Sequence, residues 1–206
     1  MSFYYRRHSS VSINVRSALY LLRSIDYAKH DGRSLNYFVT INFDLRHTDL
    51  TAQQIFSKIN RAKNRWLQSY YKKNGLDHKP PCAAWVFEMP QLNEHVHWLI
   101  NLEPNLIEIF EKKLVRWLQR YQRFVGPRTI KIEDVNPHTV KNIGNYMVKG
   151  VDPRFASFLH LQNRICHQGI VRGQRCRSSQ SIGVTARKRA GFNASLQRNE
   201  SGRKIP

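Results

Sequence analysis

The stretch "PCAAWVFEMPQLNEHVHWLINL", residues 81–102, contains two strand-like segments separated by a short linker. Residues 81–90 and 94–102 are rich in β-branched and aromatic side chains, and the linker "PQLN" between them is typical of a turn. We therefore predict an antiparallel β-hairpin. Its second strand places His95 and His97 on one face, because side chains two residues apart in a strand point the same way. Val96 and Trp98 then point to the other face.

The two histidines are candidate metal ligands, and the first strand of the hairpin offers a third. If the hairpin turns near Leu92, the carboxylate of Glu88 lies opposite or diagonal to the histidine pair. Glu94 is the alternative, although as the neighbour of His95 it should point to the other face. Two imidazoles and one carboxylate leave coordination positions open, as in catalytic sites. This ligand set suits Mn²⁺ well and Mg²⁺ less well, and it does not exclude Zn²⁺ or Fe²⁺. Half-buried histidines on a sheet surface are the alternative.

The segments on either side of the hairpin alternate between strand and helix patterns. Residues 35–45 and 128–135 predict two further strands, and residues 9–30, 50–74, 103–124 and 136–149 predict helices. This order predicts an α+β fold, with an antiparallel sheet and helices packed on one face. We expect an N-terminal helical extension over residues 1–34, a core over residues 35–150 and a C-terminal extension over residues 151–206.

The charge of the chain points to a polyanionic partner. Lys and Arg number 34 against 14 Asp and Glu, which gives a formal net charge of +20. Nucleic acid is the first candidate for such a partner. No apolar run has membrane-spanning length, and the N-terminus lacks the apolar core of a signal peptide, so we expect no membrane association. The widely spaced Cys82, Cys166 and Cys176 predict reduced thiols in a cytoplasmic protein.

The C-terminal extension contributes strongly to this charge. Residues 151–206 contain eleven Lys and Arg residues and two acidic residues, with little apolar periodicity. We expect this segment to be partly flexible. Its arginines alternate with glycine and small hydroxyl residues, which suits contact with phosphates. The candidate nucleic-acid contacts are Arg172, Arg175, Arg177, Arg187, Lys188 and Arg189. A generic solubilising basic tail is the alternative.

A second informative stretch is "NPHTVKNIGNYMVKG", residues 136–150. On a helix, Asn142, Tyr146 and Lys149 share one face, so the phenol and the ammonium can meet one ligand, and Asn142 is a candidate nucleic-acid contact. A tyrosine with a pKa near ~10 needs help to act as a nucleophile at neutral pH, and a metal ion or a lysine supplies positive potential. Lys149 can also neutralise charge that develops on a phosphate. The alternative is a surface tyrosine with a lysine placed by the helix dipole.

Taken together, the two motifs resemble those of the HUH endonuclease superfamily, which comprises rolling-circle replication initiators, relaxases and single-tyrosine transposases. The family pattern is a strand with His-hydrophobe-His, here residues 95–97, followed by a helix with Tyr-x-x-Lys, here residues 146–149. An upstream strand, "YFVTINF", also resembles a family motif, and Glu88 matches a third ligand used by many replication initiators. The resemblance covers residues 35–150. The helix motif has one tyrosine, which disfavours the two-tyrosine members.

The resemblance implies a ferredoxin-like core and a specific chemistry. His95, His97 and Glu88 would hold a divalent ion, Mn²⁺ or Mg²⁺, and Tyr146 would attack a phosphate of single-stranded or hairpin DNA. The products would be a 3′-hydroxyl and a 5′-phosphotyrosine bond, with Lys149 assisting the charge balance. The expected activity is a site-specific endonuclease and strand-transferase that initiates rolling-circle replication of a plasmid or phage. A host helicase is an expected partner.

Three alternatives stay open at the level of the sequence. A single-tyrosine transposase would use the same chemistry, and the segment "MPQLNEHVHWLI" resembles one found in transposases related to repetitive palindromic elements. A non-catalytic nucleic-acid-binding module with a similar topology would bind without a metal. A structural metal protein would have a closed coordination shell and would unfold when the metal is removed.

Overall fold

A computed structural model describes residues 9–77, 80–136 and 138–192 of the chain. The described elements, in chain order, are β1 (Ser9–Ser10), α1 (Val15–His30), β2 (Tyr37–Asn42), α2 (Ala52–Lys73), β3 (Ala83–Glu88), β4 (His95–Ile100), α3 (Ile107–Leu118), β5 (Ile130–Asp134), α4 (Val140–Met147), β6 (Val171–Arg172), β7 (Cys176–Ser178) and α5 (Val184–Arg189). None of the described helices is long and apolar enough to span a lipid bilayer.

Five strands form one antiparallel sheet in the order β5-β2-β4-β3-β7. The predicted hairpin is β3–β4, and its register places Glu88 opposite His95. On the other side of β4, Thr40 of β2 lies opposite His97. β4 is therefore the central strand, and its two histidines are flanked by a carboxylate on one neighbour and a hydroxyl on the other.

Helices cover both faces of this sheet. On one face, α2 and α3 pack against Val96 and Trp98. On the other face, α1 and α4 pack against Val86 and Leu99. The predicted α+β class with an antiparallel sheet is confirmed, but helices lie on two faces rather than one. The reason is that every residue of β4 is buried, so apolar side chains on both of its faces must be shielded from water.

The segments predicted as extensions contribute to the folded domain wherever the structure describes them. Leu21 and Ile25 of α1 share a hydrophobic cluster with Leu99 of the central strand. β7 pairs with β3 at the edge of the sheet, and β6 pairs with β1. Residues 151–192 are thus joined to the core by strand pairing and do not form a separate tail. The predicted flexibility of the remaining segment, 193–206, concerns residues outside the described part of the chain.

Capping chemistry sets the ends of the two long helices. α2 begins after Thr51, whose hydroxyl accepts from the backbone N–H of Gln54 while the Gln54 side chain accepts from the backbone N–H of Thr51. α1 begins after Asn14, whose side chain accepts from Ser17, so the helix starts later than its apolar pattern predicts. These hydrogen bonds fix the residue at which each helix begins.

Candidate metal centre and tyrosine

A buried carboxylate and two buried imidazoles meet on the sheet face that packs against α1 and α4. Their candidate ligand atoms, one each from Glu88, His95 and His97, all lie within 4.8 Å of one another. Glu88 Oε2 is 3.3 Å from His95 Nε2 and 3.4 Å from His97 Nε2. The side chain of Glu88 is almost inaccessible to water, at 1% exposure of the residue. The cluster predicted from the strand alternation is thus assembled by the β3–β4 register.

The second nitrogen of His95 fixes which of its ring atoms can bind a cation. His95 Nδ1 lies 3.1 Å from the backbone oxygen of Asn93. A carbonyl oxygen only accepts hydrogen bonds, so Nδ1 is the donor in this contact, and Nε2 is the ring nitrogen that faces Glu88 and is placed to bind a cation. The carbonyl is presented by a tight connection in which Gln91 and Leu92 have φ values of 50° and 64°, a left-handed conformation that non-glycine residues rarely adopt.

His97 is oriented by the neighbouring strand. Its Nδ1 lies 3.0 Å from Oγ1 of Thr40, the residue opposite it on β2. Its ring stacks on Phe38, with 5.2 Å between the centroids. When Nδ1 donates to the threonine hydroxyl, Nε2 keeps its lone pair. Thr40 is a residue that sequence reasoning missed, and its only signal there is a hydroxyl within the otherwise apolar "YFVTI" strand.

Two polar atoms of this cluster have no hydrogen-bond partner, which supports a fit to a metal ion. They are Oε1 of Glu88 and Nε2 of His97, both buried. Buried polar atoms are normally paired, so orphaned atoms on adjacent side chains are exceptions that require an explanation. Both are standard donors to divalent metals, and together with His95 they form a set of two imidazoles and one carboxylate. The alternative ligand Glu94 is not part of this group.

The electrostatics keep the ligands in the forms that bind cations. Burial raises the pKa of Glu88, but its contacts with His95, His97 and Lys149 outweigh burial and hold that pKa well below its usual range. Burial lowers the pKa of His97, and this outweighs the opposing effect of Glu88. At neutral pH the cluster therefore presents an ionised carboxylate beside a neutral His97 imidazole.

Helix α4 brings the predicted tyrosine to the same place. The Tyr146 ring lies 5.3 Å from the His97 ring and 6.0 Å from the Phe38 ring, measured between centroids. Tyr146 is 42% exposed, so it has access to solvent beside a buried cluster. Lys149, just beyond the end of α4, lies with Nζ 3.7 Å from the Tyr146 ring centroid and 3.0 Å from Glu88 Oε2. The lysine lies beside Tyr146 as predicted, but it is buried and follows the last residue of α4, Met147, so it is not part of the predicted helix.

The predicted nucleic-acid contacts divide into exposed and buried residues. The exposed ones are Asn142, Arg172, Arg177, Lys188 and Arg189. Arg175 is 4% exposed, and its guanidinium donates to the backbone oxygens of Ser10, Gly169 and Gln168. These hydrogen bonds join β1 to the loop that precedes β6, so a DNA contact by Arg175 is not supported. Arg187 is also buried, but its Nε has no hydrogen-bond partner.

Comparisons with known proteins add little to this geometry. Neither a protein-family model nor a curated protein matches the sequence. Among solved structures, the chain is weakly similar to the N-terminal nuclease domain of non-structural protein 1 from minute virus of mice, with 11% identity and a TM-score of 0.28 over 60% of this chain and 68% of that one. That domain is described as having Zn²⁺ coordination in its active-site pocket and as recognising DNA at the origin of replication.

Proposed function

We propose that this protein is a metal-dependent, site-specific endonuclease and strand-transferase that acts on single-stranded or hairpin DNA through Tyr146. One observation carries the proposal. The buried group of Glu88, His95 and His97, with ligand atoms within 4.8 Å of one another, lies next to a partly exposed tyrosine whose ring is 5.3 Å from that of His97. A nucleophile beside a candidate cation site is the arrangement that phosphoryl transfer needs.

Glu88, His95 and His97 would hold the metal ion, for which Mn²⁺ and Mg²⁺ are our first candidates. When bound, a divalent ion supplies Lewis acidity that polarises an oxygen of the scissile phosphate. Asn93 and Thr40 orient the two imidazoles through their Nδ1 atoms, as second partners of metal-bound histidines commonly do. The three-residue set leaves coordination positions for substrate oxygens.

Tyr146 is the nucleophile in this proposal. Its phenolic oxygen loses a proton and forms a bond to the scissile phosphorus, while the bond from phosphorus to the 3′-oxygen breaks and that oxygen takes up a proton. The products are a free 3′-hydroxyl and a 5′-phosphotyrosine bond. Attack of a 3′-hydroxyl on that bond reverses the step and joins two DNA ends. The stacked Phe38 and His97 rings and the Lys149 ammonium limit the positions available to the Tyr146 ring.

The substrate class follows from charge and from access. The formal net charge of +20 favours a polyanion. A base-paired helix would keep its phosphates from a tyrosine seated against a sheet face, so unpaired DNA is the proposed substrate. The biological role that we propose is initiation of rolling-circle replication of a plasmid or phage, in the cytoplasm and with a host helicase. A single-tyrosine transposase would differ in the sequences it joins.

The test is a denaturing-gel assay for a covalent protein–DNA adduct, using 5′- and 3′-labelled hairpin oligonucleotides. We expect an adduct with Mn²⁺ that carries the label on the 3′ side of the cut, and none in EDTA. Tyr146→Phe should abolish the adduct, whereas Tyr121→Phe, which removes a phenol on the other side of the sheet, should retain it. Adduct formation by Tyr146→Phe at the wild-type level would exclude Tyr146 as the nucleophile.

A further inference from the structure

A small cavity lies between α1, β7 and α5, apart from the metal centre. Its volume is about 190 Å³, and its lining includes Arg177, Arg187, Tyr20, Ser24 and Ser178. None of the described residues that line it is acidic. The cavity is on the sheet edge formed by β7, and the chain presents two guanidinium groups to it.

Arg187 is the unusual member of this lining. The residue is 7% exposed, and its Nε is buried without a hydrogen-bond partner. No ion pair between Arg187 and an acidic group exists among the described residues. Burial lowers the pKa of Arg187 and the neighbouring Arg23 lowers it further, while Tyr20 and the carboxylate of Asp26 act in the opposite direction. A buried guanidinium that forms no ion pair is destabilising, so an anion bound in the cavity would offset part of the cost of burying Arg187.

The hydrogen-bonding groups of the cavity favour a phosphate as that anion. The Ser24 hydroxyl donates to the backbone oxygen of Tyr20 and is 3.0 Å from the Ser178 hydroxyl. The two serines therefore use their hydrogen-bonding groups within the protein. Ser17 and Gln174 also line the cavity, and its other donors are the guanidinium groups of Arg187 and Arg177 and the exposed Tyr20 hydroxyl. Several donors around one small space match the several oxygens of a phosphate, and arginine binds phosphate with paired N–H groups.

The cavity is connected to the metal centre through one strand pair. Ser178 lies opposite Ala84 of β3, and Glu88 is at the end of the same strand. Ala84 and Glu88 are four positions apart, which corresponds to roughly 13 Å along an extended strand. Ala84 and Glu88 point to the same face, because their positions differ by an even number. Helices α1 and α4 cover this face, so a DNA strand with one phosphate at Tyr146 would reach the cavity over the outer surface of these helices.

We propose that the cavity between α1, β7 and α5 binds a backbone phosphate of the DNA strand that the metal centre engages, with Arg187 as its principal ligand. That the phosphate belongs to DNA rests on the proposed function. Arg177 and Tyr20 complete the contact. The role of the site is to position the strand, and it takes no part in bond cleavage.

The experiment measures binding of fluorescein-labelled oligo(dT) to the full-length protein by anisotropy, in EDTA and over a series of salt concentrations. Arg187→Gln should weaken binding about tenfold, as expected for the loss of a charge-assisted contact. The slope of log K against log salt should also fall by about one, since one phosphate contact is lost. Lys112→Gln is the matched control, because it removes the same charge from an exposed position on α3, which packs on the other sheet face.

If Arg187→Gln does not fold, two variants at exposed positions test the same cavity in the binding assay. Arg177→Gln and Tyr20→Phe change exposed residues of the same cavity, and both should weaken binding relative to Lys112→Gln. Affinities and salt slopes equal to those of the control in every folded cavity variant would overturn the proposal. Because EDTA prevents cleavage, this result is independent of the adduct assay. Failure of the wild type to form an adduct would refute the nuclease and leave the phosphate site standing.

Discussion

Replacing Lys149 with methionine tests the electrostatic arrangement of the metal centre. Lys149 is 8% exposed and its Nζ lies 3.0 Å from Oε2 of Glu88, which is itself 1% exposed. Methionine keeps a similar length of side chain and removes the positive charge. Removing one partner of a buried ion pair costs roughly 3–5 kcal/mol, because the other charge remains buried. We expect a loss at the lower end of this range, about 3 kcal/mol.

That loss should appear in thermal unfolding. For a chain of this size, 1 kcal/mol corresponds to a shift of about 2–4 °C in Tm, so Lys149→Met should lower Tm by roughly 10 °C in EDTA. The ammonium and a divalent cation compete for the same carboxylate oxygen. Mn²⁺ should therefore raise the Tm of Lys149→Met more than it raises that of the wild type, through preferential binding to the folded state.

The assay is differential scanning fluorimetry at neutral pH, with and without Mn²⁺. Lys141→Met is the matched control, since Lys141 is an exposed residue of α4 and forms no ion pair with a described residue. Its Tm should stay close to that of the wild type under both conditions. The reasoning is refuted if Lys149→Met matches the wild-type Tm in EDTA, or if Mn²⁺ stabilises the variant no more than the wild type.

Three further predictions concern single buried or partly buried groups. Burial lowers the pKa of Lys63 to about 7, so stability should rise between pH 7 and about 10, where only the unfolded chain keeps this proton. In urea unfolding, Lys63→Met should therefore increase the free energy of unfolding by roughly 4–5 kcal/mol more at pH 6 than at pH 10. An equal increase at both pH values would contradict this. Thr40→Val removes the hydrogen bond to His97 Nδ1 and should weaken Mn²⁺ binding about 10- to 100-fold by calorimetry; unchanged affinity would rule out this orienting role. Burial raises the pKa of Cys176 to about 11, so a thiol reagent at pH 8 should label exposed Cys166 first, and mass spectrometry showing equal labelling would argue against that burial.

Several features of the molecule could be predicted from local patterns alone. The alternation in residues 94–102 places His95 and His97 on one strand face, and the short linker before them makes the β3–β4 hairpin. The 3.6-residue period of residues 136–150 buries Val140 and Met147 and leaves Tyr146 exposed. These predictions succeed because strand and helix periodicity are properties of neighbouring residues, whatever the chain does elsewhere.

Other features depended on contacts between residues far apart in the chain. The pairing of Lys149 with Glu88, and of Thr40 with His97, follows from packing and strand register that no local period encodes. The same holds for β7. Its basic sequence predicts a flexible tail, whereas in the structure its backbone pairs with the edge of β3.

The amino-acid sequence determined which chemical groups the site contains and which strand or helix carries each of them. Only the tertiary structure decided which arginines are accessible and which cation neighbours the carboxylate. Arg175 and Arg187 look alike in sequence, yet the guanidinium of Arg175 donates to three backbone oxygens and a hydroxyl, while Nε of Arg187 is buried without a hydrogen-bond partner. The physical reason is that a long charged side chain takes its role from the groups within hydrogen-bonding distance, and those groups are set by the fold.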